Sequence, residues 1–282
     1  MQKYIVPIIF VVVFVSLYVF KTIRQFNENN ILSSGTQIKA TPTPLRLPHG
    51  IIMDTQYSKN KYLVFSIKIP NGSKISLIPN FSEKLIGEKL VEENNCDAAI
   101  NGGFYLGNDK PLGLFVIEEN EIGHEVKSSI ANSFVWQDRA GDIKFIRSVP
   151  ESFSPAMAGD PAEAGKFTDF IFQSGPYIIP QNRPLKLVRD ERSRRSLLGK
   201  DFQGNLYFIT VTNKENLVGG PHLSDIPIIF WELKQKNILN LDELVNLDGG
   251  SASFFYSKDE ISNLTLPSWA AVGSLLCVKL AE

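Results

Sequence analysis

Cysteine, histidine, methionine and tryptophan are scarce in this chain, and neither sign of charge is in excess. Two cysteines, Cys96 and Cys277, are too few for a disulfide framework or a cysteine zinc site. Their apolar surroundings suit buried free thiols, while a single disulfide between them fits a domain outside the cytosol. The three histidines, His49, His124 and His222, are scattered without ligand spacing, so neither a metal nor another cofactor is expected. A formal net charge of −1 lacks the basic footprint of a nucleic-acid binder. There is no internal repeat, no nucleophile elbow and no phosphate-binding P-loop. What remains is an ordinary globular composition, 43% hydrophobic and 21% charged, in 282 residues. That is ample to bury the core of one large domain or two small ones.

One long apolar run is present. Tyr4 to Phe20 carries no charge and no glycine, at the short end of the roughly 17 to 25 residues that span a bilayer. Lys3 precedes it, and Lys21 and Arg24 follow. The run ends Leu17-Tyr18-Val19-Phe20-Lys21, without the small residues of a cleavage site. Residues 1–21 therefore read as an uncleaved single-pass membrane anchor. The larger number of basic residues downstream weakly opposes an outward-facing domain. Residues 22–46, with Asn27-Glu28-Asn29-Asn30 and Thr41-Pro42-Thr43-Pro44, read as a polar tether. Residues 47–282 read as the globular domain.

That domain is dominated by strand-like runs rich in Val, Ile, Phe and Tyr and bounded by Gly, Asn, Asp and Pro. They are Tyr62–Ile69, Lys74–Ile78, Ala98–Asn101, Leu112–Ile117, Ser133–Trp136, Ile143–Ile146, Asp169–Phe172, Asn205–Thr212, Leu244–Asp248, Ala252–Tyr256 and Ala271–Lys279. Two segments have helical spacing. Glu83–Glu93 places Leu85, Ile86, Leu90 and Val91 on one face. The other follows Ser224 as an N-cap and runs through Ile229, Phe230 and Leu233. The fold class is α+β, with mixed or antiparallel sheets and few helices, behind one N-terminal transmembrane helix.

Four stretches carry the chemistry. In Val245-Asn246-Leu247-Asp248-Gly249-Gly250-Ser251 an apolar run delivers a carboxylate into a glycine turn. In Ala98-Ala99-Ile100-Asn101-Gly102-Gly103-Phe104 a similar run delivers an amide. Glycine pairs let a backbone approach a ligand closely, and they also make plain hairpin turns. One site built from both segments requires Asn101 and Asp248 to end neighbouring strands or strands on one sheet face. The third stretch, Gln173-Ser174-Gly175-Pro176, closes a strand. The fourth, Asp190-Glu191-Arg192-Ser193-Arg194-Arg195-Ser196-Leu197-Leu198-Gly199, clusters guanidinium forks that match oxyanions. Arg192 and Arg194 read as a solvated loop, and Arg195, before an apolar run, as fixed in place. His222, in Gly219-Gly220-Pro221-His222, lies just before the second helix.

In this order, Asn101–Phe104, Gly175-Pro176, Arg195–Gly199 and Asn246–Ser251 resemble the phosphodiester glycosidase family, in its bacterial type. Lys110-Pro111-Leu112-Gly113-Leu114 is similar to the strand that follows the family's first motif. The resemblance runs from about Asn60 to the C-terminus. Where the family usually has Gly-apolar-Thr before the second helix, this chain has Gly220-Pro221-His222-Leu223-Ser224.

The resemblance implies a hydrolase that cleaves a sugar-1-phosphodiester, without a cofactor, on envelope or extracellular glycans. It also implies a domain on the extracytoplasmic side of the cell membrane. Such cleavage develops oxocarbenium character on the sugar and needs a carboxylate near the anomeric carbon and a cation on the phosphate. Asp248 and Arg195 fit those roles, and Asn101 either bonds a sugar hydroxyl or orients Asp248. Gly102, Gly103, Phe104, Gly175, Gly249, Gly250, Ser251 and His222 would line the substrate, with turn N–H groups on phosphate oxygens. Glu191 and Asp225 are the candidates for a second carboxylate. Two rivals stand beside this reading. One is a phosphodiesterase on the same scaffold; the other is a non-catalytic, membrane-tethered carbohydrate-binding or exopolysaccharide-assembly module.

Overall fold

The structure is a computed structural model that describes residues 50–57, 60–118, 120–138, 140–149, 168–179, 184, 186–187, 190–258 and 263–280. The apolar run Tyr4–Phe20 and the tether lie outside the described residues. Within them, no helix is long and apolar enough to cross a membrane.

All strand pairings among the described residues are antiparallel. The first sheet has the order β1-β2-β12-β11-β13-β10. Its strands are β1 (Gly50–Tyr57), β2 (Asn60–Lys68), β10 (Tyr177–Ile179), β11 (Arg195–Asp201), β12 (Leu206–Asn213) and β13 (Leu241–Asn246). The second sheet joins β3 (Lys74–Pro79), β4 (Ala98–Asn101), β14 (Phe255–Ser257), β15 (Leu264–Leu266) and β16 (Ser274–Lys279), in the order β15-β14-β4-β16-β3. The third joins β5 (Phe115–Ile117), β6 (Asn120–Gly123), β7 (Ser133–Asp138), β8 (Ile143–Ile146) and β9 (Thr168–Ser174), in the order β6-β5-β9-β7-β8.

One core joins the three sheets. Phe65, Leu198, Phe208 and Val245 come from the first, Leu77, Ile100 and Leu276 from the second, and Phe115, Val135 and Phe172 from the third. Strand alternation sends the intervening residues outward. On the first sheet those are Tyr62, Val64, Leu197 and Ile209, which are also buried. Helix α2 (Ile226–Gln235) covers them with Ile226, Ile229, Phe230 and Leu233. That is the i, i+3, i+4, i+7 stripe of an amphipathic helix, and each such side chain contributes about 1.5–3 kcal/mol on burial. The first sheet is thus apolar on both faces. Helix α1 (Gly87–Asn94) seats Leu90 and Val91 on Ala99, Leu275 and Cys277 of the second sheet.

The cysteines correct one expectation. Cys96 and Cys277 are not free thiols but a disulfide, with sulfurs 2.02 Å apart. Cys96 stands just before β4, and Cys277 is opposite Ala99 in register. The cap of α2 also differs from the sequence reading. Ser224 lies inside a 3₁₀ turn, Leu223–Asp225, and no side chain caps the helix. Pro227 in the first turn needs no N–H there.

Candidate functional site

β4 ends at Asn101, and Gly102–Phe104 carry the chain away. β13 ends at Asn246, so Leu247 and Asp248 lie beyond the strand. The two strands are not hydrogen-bonded neighbours, because β4 belongs to the second sheet and β13 to the first. The expected shared sheet is replaced by a seam between sheets, and hydrogen bonds close it. The Asp248 N–H donates to the Gly102 carbonyl at 3.1 Å. The Asn101 side-chain amide donates to the Asp248 carbonyl at 2.8 Å, and its oxygen accepts from the Phe254 N–H at 2.9 Å. Asn101 is 1% exposed. Its amide is spent on joining the two motifs, so it orients Asp248 rather than offering itself to solvent.

Asp248 is half-buried, and its Oδ1 accepts from the Gly249 N–H at 2.9 Å. Burial pushes the carboxyl up to about 7, with the Gly249 N–H opposing. No cation among the described residues offsets that burial. Burial and then the negative charge of Asp248 raise the Tyr105 phenol, so phenol and carboxylate share one environment. The Tyr105 hydroxyl donates to the Ala271 carbonyl at 3.0 Å.

The glycine pair lets this turn press on β11. A Cβ on Gly249 would come within 2.7 Å of the Arg194 carbonyl oxygen. The Gly250 N–H donates to that same oxygen at 2.9 Å, and Gly250 has φ +63°. Ser251 is exposed, and its carbonyl accepts from the N–H groups of Trp269 at 2.8 Å and Ala270 at 3.1 Å. Gly102 and Gly103 are buried beneath the site; a Cβ on Gly103 would meet the Gln173 carbonyl at 2.8 Å. Phe104 is half-buried and its carbonyl accepts from Leu112 at 2.9 Å. Gly175 braces the site from behind. Its N–H donates to the Asn246 carbonyl, and the Asn246 side chain donates back to the Gly175 carbonyl, both at 2.9 Å.

The two consecutive arginines have different surroundings. Leu197 pairs with Asn246, and the Leu247 N–H donates to the Ser196 carbonyl at 2.9 Å, so the two chains stay together up to the Asp248 turn. The Arg195 guanidinium itself is held by the preceding loop. Its Nη2 donates to Asp190 Oδ2 at 2.8 Å and to the Glu191 carbonyl at 2.6 Å, and its Nε to the Pro221 carbonyl at 3.1 Å. Burial lowers its pKa, and the Asp190 charge opposes the fall. His222 joins the same cluster, donating from Nδ1 to the Asp190 carbonyl and accepting from Arg192 Nε at 3.3 Å. Glu191 is exposed and Asp225 half-buried on this side.

Arg194 is not in a solvated loop but fully buried. Its Nη2 donates to the Ser253 carbonyl and, at 2.5 Å, to the Pro267 carbonyl. Its guanidinium carbon lies 4.3 Å from the centroid of the Trp269 ring. Burial lowers its pKa to about 10, which leaves it charged at neutral pH. Arg194, Tyr105 and Trp269 are the residues of this region that the sequence reading gave no role. Tyr105 was within reach, because it directly follows the Gly-Gly-Phe turn. Among the described residues, no group of three or more His, Cys, Asp and Glu side chains is arranged to hold a metal ion.

The profile of the phosphodiester glycosidase family matches residues 94–279. Among solved structures, the chain resembles the catalytic domain of zebrafish N-acetylglucosamine-1-phosphodiester alpha-N-acetylglucosaminidase, a form auto-inhibited by its pro-peptide. The TM-score is 0.57 at 18% identity, covering 86% of each chain. It also resembles a hypothetical protein from Synechocystis, with a TM-score of 0.48 at 15% identity over 80% of this chain and 62% of that one. A putative exported protein from Burkholderia pseudomallei gives 0.45 at 11% identity over 78% and 74%. No curated protein sequence matches. At these identities the zebrafish structure shows a shared fold.

Proposed function

The chain belongs to the phosphodiester glycosidase family, and on that premise we propose that it hydrolyses the glycosidic bond of a sugar-1-phosphodiester. The observation that carries this reading is the Asp248 carboxyl. It is oriented through its own backbone by Asn101 and Gly102, and burial holds its titration near neutrality. A group with a pKa near the working pH can be present as carboxylate and still exchange a proton. As carboxylate, Asp248 stabilises the cationic sugar that develops when the phosphate departs. The phosphate is a good leaving group and needs little protonation. Arg195 is the cation for the phosphate. Its own side chain is only 9% exposed while its partner Asp190 is 39% exposed, so a phosphate would reach the fork by displacing Asp190.

The substrate is a glycan phosphodiester outside the cytosol, and the anchor at residues 1–21 holds the domain at the cell membrane. The Cys96–Cys277 disulfide supports that side, since disulfides persist in oxidising compartments. Product analysis tests the activity. Free sugar plus a phosphomonoester supports the glycosidase reading. Sugar phosphate plus an alcohol replaces it with a phosphodiesterase, and binding without turnover replaces it with a carbohydrate-binding module.

A further inference from the structure

Trp269 is 47% exposed although its backbone is tied down. Its N–H donates to the Ser251 carbonyl at 2.8 Å, three residues beyond Asp248. Ala270 makes a second bond to the same carbonyl, and Ala271 receives the Tyr105 hydroxyl. The segment 269–271 therefore runs from the Asp248 turn to the phenol that feels the Asp248 charge.

The other observation lies against the ring. Arg194 is wholly buried with its guanidinium 4.3 Å from the indole centroid. Its Nη2 is bound to two carbonyls, and its Nε and Nη1 are buried without partners among the described residues. A buried cation is costly, and a guanidinium lying against indole recovers part of that cost. The arrangement fixes an exposed ring in one orientation. A rigid flat apolar face loses little side-chain entropy when a ligand covers it. Its shape and polarity suit the C–H face of a pyranose, whose hydroxyls stay at the rim.

We infer that Trp269 is the stacking platform for a pyranose ring of the substrate, held in place by Arg194. The inference rests on the reading that the Asp248 turn takes a sugar ester. It names a specificity residue that contacts the sugar without taking part in bond cleavage.

The test uses the full-length protein carrying Asp248→Asn, so that binding is read without turnover. The probes are glucose 1-phosphate, N-acetylglucosamine 1-phosphate and the methyl glycosides of both sugars, with tryptophan fluorescence and calorimetry as readouts. At least one probe is expected to shift the fluorescence. That shift disappears in Trp269→Phe and persists in Trp136→Phe and Trp231→Phe. Trp269→Ala weakens binding about tenfold, the scale of one aromatic contact, and Trp269→Phe by less. In the otherwise unaltered enzyme, Trp269→Ala raises KM with kcat little changed. A fluorescence shift that survives Trp269→Phe overturns the platform, as does unchanged affinity in a folded Trp269→Ala protein. Failure of every probe to bind overturns it as well. Binding through Trp269 with no diester hydrolysed by the unaltered protein leaves the platform standing and removes the hydrolase. Diester turnover indifferent to Trp269→Ala does the reverse.

Discussion

The Asn101 side chain donates to the main-chain carbonyl of Asp248 at 2.8 Å, across 147 residues of sequence and between two sheets. The same amide accepts from the Phe254 N–H, so one buried side chain sets both the carboxylate turn and the start of the following segment. Asn101→Ala should strand a buried N–H and a carbonyl at once. The expected loss is about 1–3 kcal/mol of stability, together with a fall in kcat as Asp248 loses its seat. Chemical denaturation and steady-state kinetics on the same preparation check both. A variant of full stability and full turnover would make Asn101 a bystander.

The Asp248 carboxyl gives a pH signature of known sign. Its folded value of about 7 lies above the ordinary 3.8. Between those values the folded chain binds more protons than the unfolded one, so stability falls as pH rises through the window and then levels off. Asp248→Asn removes the titration. The variant should be more stable than the unaltered protein near pH 8 and no different near pH 3.5. With Asp248 acting as carboxylate, kcat/KM rises with pH to a limb near 7. In Asp248→Asn that limb vanishes and kcat drops on the order of a hundredfold. An unchanged limb in the variant would assign the titration to another group.

Apolar, β-rich composition bounded by turn residues made the strands readable, with alternation where one face meets solvent. Ala98–Asn101 and Ile143–Ile146 have the boundaries their residues suggest, and Tyr62, Val64 and Phe65 fall on opposite faces as period 2 requires. β1 was not read, since Gly50–Tyr57 is defined by its full pairing with β2 and not by its own apolar content. The run to Asp248 was read as strand, yet pairing stops at Asn246 because the chain turns toward the second sheet. Arg194 precedes β11 and Arg195 opens it, and both faces of the first sheet are buried. Pattern alone therefore carried no information about which face holds what. Nor could spacing announce the disulfide, since the β4–β16 register that brings Cys96 near Cys277 is a tertiary fact.

The Cys96–Cys277 bond spans 181 residues and lies where α1 meets the second sheet. Cross-linking so long a loop restricts the unfolded chain, worth up to about 5 kcal/mol on the chain-entropy model. The double variant Cys96→Ser, Cys277→Ser should melt well below the unaltered protein. Reductant should lower the unaltered protein to the same level and leave the variant unmoved. Because the bond is on the far face of β4 from the shared core, catalysis by whatever fraction is folded at low temperature should be preserved. A melting curve indifferent to reductant would show that the bond contributes nothing.

On the proposed reading, Arg195 carries the phosphate half of the reaction. Its fork spans the Pro221 carbonyl on one side and Asp190 on the other, a geometry that suits a planar guanidinium and not an ammonium. Arg195→Lys keeps the charge and loses the fork. On a sugar-1-phosphodiester, kcat/KM should fall roughly ten- to a hundredfold, the scale of one lost charge-assisted hydrogen bond. On an uncharged aryl glycoside of the same sugar the loss should be small, because no phosphate is there to be held. The contrast separates recognition from architecture, since an arginine that only braces the 190–193 loop would depress both substrates alike. Asp190→Asn supplies the complementary arm. It frees the guanidinium from its ion pair, so the diester KM should fall or hold while Arg195→Lys raises it. Equal losses on the two substrates, or a diester rate untouched by Arg195→Lys, would return Arg195 to the scaffold.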